Sequence, residues 1–130
     1  MLPMPELVTR DVRVRVQNEF VPERSSPTAS EFVFTYKVQI ANLGAETIQV
    51  MGRRWVITDA FGEYEEVAGE GVVGEQPVIR PGEEFRYSSF CPIKTSFGTM
   101  KGEFEVITDA GESFMVEIPE FVLAHPHSVH

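Results

Sequence analysis

Phe32-Val33-Phe34-Thr35-Tyr36-Lys37-Val38-Gln39-Ile40 places an apolar side chain at each even position and sets Thr35, Lys37 and Gln39 between them. Side chains of an extended strand return to one face every second residue, so this stretch predicts a β-strand with one face buried. Upstream, Val12, Val14 and Val16 alternate with Arg13, Arg15 and Gln17 in the same way. Residues 21–30, VPERSSPTAS, carry two Pro and three Ser and mark a surface loop between the two runs.

Downstream, Ile48 and Val50 begin a third run that resumes with Trp55 and Ile57. The apolar parity changes at Gly52, and one extra residue there would restore the facing of both halves, which predicts a β-bulge. Asp59-Ala60-Phe61-Gly62 predicts a hairpin turn with Gly62 at positive φ. Val56-Ile57-Thr58-Asp59-Ala60 is repeated as Val106-Ile107-Thr108-Asp109-Ala110, a likeness of one strand and turn rather than a repeat architecture. Pro81-Gly82 predicts a tight turn before the strand of Phe85 and Tyr87. Met100, Phe104, Val106 and Thr108 continue the pattern, and Asp109-Ala110-Gly111 turns the chain. Phe114, Val116 and Ile118 form the last clear strand, which Pro119 is expected to interrupt before Phe121 to Leu123 extend it. About seven or eight short strands without helical periodicity predict an all-β fold, a two-sheet antiparallel β-sandwich, with a small barrel as the alternative. Trp55, Phe34, Tyr36, Phe104 and Val116 are expected in its core.

A chain of 130 residues is expected to form one domain, residues 1–130, with an ordered core of about 6–124 and a flexible tail over 125–130. Cys91 is the single cysteine, so no internal disulfide can form. A lone thiol and an N-terminus without the pattern of a secretion signal predict a cytoplasmic setting. No apolar run approaches the ~20 residues of a membrane helix.

The net charge of −9 is unevenly distributed. Residues 1–58 are nearly neutral, whereas residues 59–85 carry eight acids against Arg80 alone. Such a field repels phosphate backbones and anionic lipid, which argues against nucleic-acid and membrane roles; it tolerates a cation or a basic protein partner, and its simplest use is to keep a small domain soluble.

Gly69-Glu70-Gly71-Val72-Val73-Gly74 spells the glycine spacing of dinucleotide sites. That chemistry requires a helix after the glycines, whose unpaired N–H groups meet the pyrophosphate. Pro77 and Pro81 follow too closely to leave room for one, and the preceding Glu63-Tyr64-Glu65-Glu66-Val67 strand is acidic. A loop in which the backbone bends sharply is the expected use of these glycines. Glu63 and Glu65 share one strand face and Glu66 takes the other, so at most two carboxylates converge there on a divalent cation, without the turn spacing that hard cations prefer. His125, His127 and His130 could bind a transition metal from the tail. With every histidine in the tail, no Ser–His or Cys–His pair can form within the domain, and the chain is read as non-enzymatic, with no catalytic residues and no cofactor. Cys91 is expected to be a small core filler. In Arg53-Arg54-Trp55 an arginine can stack on the indole or grip a carboxylate.

From Arg53 onward the chain resembles the ApaG family. The resemblance rests on Arg54-Trp55-Val56-Ile57-Thr58-Asp59, on Gly69-Glu70-Gly71-Val72-Val73-Gly74-Glu75-Gln76-Pro77, and on Pro81-Gly82-Glu83 with Phe85-Arg86-Tyr87. Cys91-Pro92, Gly98-Thr99-Met100-Lys101-Gly102 and the stretch from Phe114 through Phe121-Val122-Leu123 extend it, and residues 20–27 and 32–36 are similar to the family's first hairpin. It implies an immunoglobulin/fibronectin type III-like sandwich. It also implies a genetic association with cobalt and magnesium resistance and efflux, in a family whose eukaryotic relatives sit beside F-box and other modules as interaction domains. The family defines no catalytic residues. Its glycine motif is associated with a pyrophosphate site, matched here by Gly69, Gly71 and Gly74. Together these readings predict a binding module that acts through protein–protein contact, with Glu65, Glu66, Glu70 and Glu75 as the candidate partner surface in a loop segment from Glu63 to Glu84. The alternative is direct binding of a divalent cation by the acidic segment, or of a nucleotide by the glycine loop.

Overall fold

The computed structural model describes residues 4–126, and alternation of side chains has produced nine strands within them. They are β1 (Glu6–Thr9), β2 (Val12–Phe20), β3 (Phe32–Asn42), β4 (Ile48–Asp59), β5 (Tyr64–Glu70), β6 (Val78–Ile79), β7 (Glu84–Ile93), β8 (Phe97–Thr108) and β9 (Ser113–Ala124). One antiparallel sheet has the order β1-β2-β3-β7, and the other has the order β5-β4-β8-β9, with β6 paired to the start of β4. Leaving out the short β1 and β6, this is three strands packed on four, the arrangement of a fibronectin type III-like sandwich.

The inward residues of both sheets form one core. Val14, Val38 and Ile40 from the first sheet face Val50, Phe104, Val106 and Val116 from the second, all fully buried. Phe34, Tyr36 and Trp55 are buried with them, as the alternation predicts. Trp55 meets Tyr36 edge-on at 5.3 Å between ring centroids and Phe121 at 6.0 Å, joining β4 to strands of both sheets. Such edge-to-face pairs add to the burial of large apolar area.

Two bulges adjust the facing of long strands. In β4, Val50 pairs with Val106 and Gly52 with Glu105, so Met51 is the extra residue, next to the expected position. In β9, Phe121 pairs with Met100 and Ile118 with Gly102, so three steps along β9 oppose two along β8. Pro119 therefore does not interrupt the strand as expected. It occupies the bulge, where its missing N–H costs no ladder bond, and β9 runs unbroken to Ala124.

β1 is an element that the alternation did not reveal. It is too short and too exposed to leave a periodic mark, and its turn to β2 is made by Arg10 and Asp11 at φ 46° and 66° without a glycine to announce it. The expected turns at Asp59–Gly62, Pro81–Gly82 and Asp109–Gly111 each place glycine at φ between 83° and 89°.

Of the residues expected in the tail, His125 and Pro126 are described. His125 donates its backbone N–H to the Ser96 carbonyl at 2.8 Å, and its ring packs edge-on against Phe20 at 4.5 Å. His127 and His130 lie outside the described residues.

Candidate functional site

The glycine loop hangs from the β4 bulge. The Gly71 N–H donates to the Met51 carbonyl at 2.8 Å, and Gln76 Nε2 donates to the same oxygen at 3.0 Å. Val72 and Glu75 then exchange both backbone hydrogen bonds, at 2.8 and 3.0 Å, around a two-residue turn formed by Val73 and Gly74. Val72 itself is fully buried and plugs the end of the core. Gly71 sits at φ 62°, and a Cβ there would fall 2.1 Å from the Glu75 carbonyl oxygen, so only glycine lets the chain double back this closely. Gly69 lies under the Arg53 guanidinium. The element after the turn is β6, a strand, and the N–H groups of Gly71, Val72 and Glu75 are already donated within the protein. The helix N-terminus that pyrophosphate chemistry requires is not part of this loop.

Of the two adjacent arginines, one grips carboxylates as predicted and the other binds backbone carbonyls. Arg54 points away from the core and grips Glu66 at 3.0 Å and Glu103 at 3.4 Å, joining β5 and β8 across the outer face of β4. Arg53 lies on the other face and donates from one guanidinium nitrogen to the Glu70 and Gly71 carbonyls, each at 3.1 Å. It fastens the start of the glycine loop, a role that sequence spacing does not disclose because its acceptors are backbone atoms.

The four candidate glutamates are not gathered on a loop. Glu65, Glu66 and Glu70 belong to β5, and Glu75 closes the turn beyond it. The acidic, exposed sequence of β5 obscured its role as an edge strand, which needs no continuous apolar face. Glu65 pairs with Ile57 and faces the gap between the sheets, whereas Glu66 faces outward to Arg54. The predicted separation of Glu65 from Glu66 across the strand therefore holds.

On its inner side β5 borders a cleft of about 420 Å³ whose opposite wall is the end of β7. Val33, Ile57, Pro92 and Ile93 supply apolar lining, while Glu31, Glu63 and Glu65 supply carboxylates and Lys94 a base. Asp59 also lines the cleft, but its Oδ1 accepts the Phe61 and Glu63 N–H groups at 2.9 and 3.0 Å and so belongs to the turn. Tyr64 also lines the cleft and is 68 % exposed, and Phe61, in the turn before β5, is 84 % exposed. This cleft was missed in the sequence because its walls come from four separated segments.

Among the described residues no three His, Cys, Asp or Glu side chains converge to hold a metal ion. Cys91 is buried on β7, and burial pushes its thiol up to about 12, with the Glu65 carboxylate adding to the effect. It remains a protonated core side chain at neutral pH, as expected for a filler and not for a nucleophile. Burial also raises Tyr87, whose hydroxyl has no hydrogen-bond partner among the described residues. No helix among the described residues is long and apolar enough to cross a membrane.

The profile of the ApaG domain matches residues 22–108. The chain belongs to the ApaG family. Protein ApaG of Beijerinckia indica is 50% identical over 125 residues, covering 96% of each chain, and Protein ApaG of Caulobacter vibrioides is 49% identical over 121 residues, covering 93% of this chain and 86% of that one. A crystal structure of the putative ApaA protein from Bordetella pertussis superimposes with a TM-score of 0.88 at 43% identity, covering 96% of this chain and 98% of that one. The ApaG domain thus accounts for the sandwich, and none of these names denotes a catalytic activity.

Proposed function

We propose that this ApaG-family chain is a non-catalytic binding module that acts by protein–protein contact through the acidic β5 side of the sandwich. Any link to cobalt and magnesium resistance or efflux is then indirect and passes through a partner. The observation that supports this reading is the edge itself: β5 ends its sheet, carries Glu65, Glu66 and Glu70, and leads to Glu75. A partner approaching edge-on reaches carboxylates on both faces of the strand, and a basic one is steered there by the surrounding field. The dispersed carboxylates and the protonated Cys91 support contact in preference to metal capture or nucleophilic chemistry.

The test is affinity capture from bacterial lysate, with and without millimolar Mg²⁺, using the native chain and a variant with Glu65, Glu66, Glu70 and Glu75 all changed to Lys. Proteins retained by the native chain should be lost from the variant and should elute as salt rises. Retention of the same proteins by a folded variant at the same salt would overturn the assignment of this surface.

A further inference from the structure

We infer that the cleft between β5 and β7 is a docking groove for an extended peptide segment that alternates Lys or Arg with apolar residues and lies along the free edge of β5. This rests on the binding-module reading and deepens it by naming the chemistry of the partner.

Backbone geometry supplies the first component. β5 pairs with β4 and ends its sheet, so its other flank offers N–H and C=O groups that no described strand pairs. An added strand satisfies such groups in sequence-independent fashion, and specificity then comes from alternate side chains. Edge strands are often charged merely to discourage aggregation, and Glu65, Glu66 and Glu70 would serve that purpose. Charge alone does not account for what lies beside them. The cleft has an apolar lining of Val33, Ile57, Pro92 and Ile93, and Tyr64 stands largely exposed at its margin. Aromatic side chains left in water next to apolar lining are the usual anchors of an interface.

Charge complementarity selects the occupant. Glu31, Glu63 and Glu65 line the groove with Lys94, so an incoming strand gains most by directing its cationic side chains into the groove, their aliphatic stems along Ile57 and Ile93, while its alternate apolar side chains take the outer face beside Tyr64. A second copy of this chain is a poor fit, since β5 paired on itself would bring Glu65 and Glu66 against like charges. An acidic segment is repelled for the same reason.

The test uses the full chain and two short blocked peptides as probes, one alternating Lys with Val and the other alternating Glu with Val, at about 0.15 M salt, where the screening length is about 8 Å. The Lys–Val peptide should bind, and it should shift backbone amide resonances of residues 63–70, 93 and 94. The Glu–Val peptide should not bind. Changing Glu63→Lys together with Glu65→Lys should weaken the Lys–Val peptide at least tenfold, whereas Glu117→Lys with Glu120→Lys, an equal charge change on β9, should alter it less than twofold. A circular-dichroism spectrum checks that each variant is folded, and Tyr64→Ala supplies a charge-neutral variant that should also weaken binding. Equal losses from the two charge pairs, or amide shifts on another surface, would overturn the groove. Failure of the Lys–Val peptide to bind would also overturn it. The binding-module reading would survive each of these results if the four-glutamate variant still lost its captured proteins, so the two can fail separately.

Discussion

Along one seam of the sandwich, β9 is tied to the opposing sheet: Asn18 Nδ2 donates to the Val122 carbonyl at 3.1 Å, and the Glu117 N–H donates to Thr9 Oγ1 at 3.2 Å. His125 closes the end of that seam by packing on Phe20 and Phe32. Along the other seam, β5 and β7 stand apart and flank the cleft, with Glu65 on one wall and Ile93 on the other. The two edges of one core have thus been treated differently. β1 and His125 close the first, while the second keeps a free strand edge and the exposed Tyr64. A sandwich with both seams closed would be more stable but would offer no ready strand edge to another protein.

Both seams depend on the cluster between them, so the largest effect is expected from Trp55→Ala. Loss of the contacts with Tyr36 and Phe121 should cost about 3–5 kcal/mol in urea unfolding. A cost below about 1 kcal/mol would show that the seams are held independently of that cluster.

Alkaline pH should probe the open side next. The folded-state value of Cys91 lies above its ordinary 9.0, so the neutral thiol stabilises the fold below that pH, and the contribution is lost as pH rises from there toward about 12. Stability should fall by about 1.4 kcal/mol per pH unit within that window for this group. Tyr87 is raised from 10.0 by the same burial and should steepen the decline at higher pH. Cys91→Ala should remove the earlier part and leave the later one, as followed by denaturant midpoints at successive pH values. An identical pH profile in Cys91→Ala would remove Cys91 from the account.

The smallest effects should separate the seams. Asn18→Ala removes a hydrogen bond that crosses the closed seam and should cost about 1 kcal/mol. Glu65→Gln, at the open seam, should stay within about 0.5 kcal/mol. If Glu65→Gln proves the more destabilising of the two, the contrast drawn between the edges is wrong.

Much of this was legible in the residues. The parity change near Gly52 located the β4 bulge, and the glycines of the three turns located the hairpins. Pro119 was misleading because a proline in an alternating run usually marks an end, and only pairing with β8 reveals the extra residue that accommodates it. β5 was legible as a short acidic strand near Glu63–Val67, but the rest of it was taken for loop, since exposed edge residues carry no apolar period.

The sequence by itself determined the fold class, the core and the character of the glycine loop, because these follow from side-chain alternation and from local φ requirements. Those are properties of neighbours along the chain. Which glutamates face one another, which arginine binds carboxylates and which binds carbonyls, and where the sheets part to leave a cleft were decided only by tertiary structure. The reason is physical: Glu31, Ile57, Glu65 and Ile93 meet through the stacking of two sheets, and strand order is set by long-range pairing that no local pattern encodes.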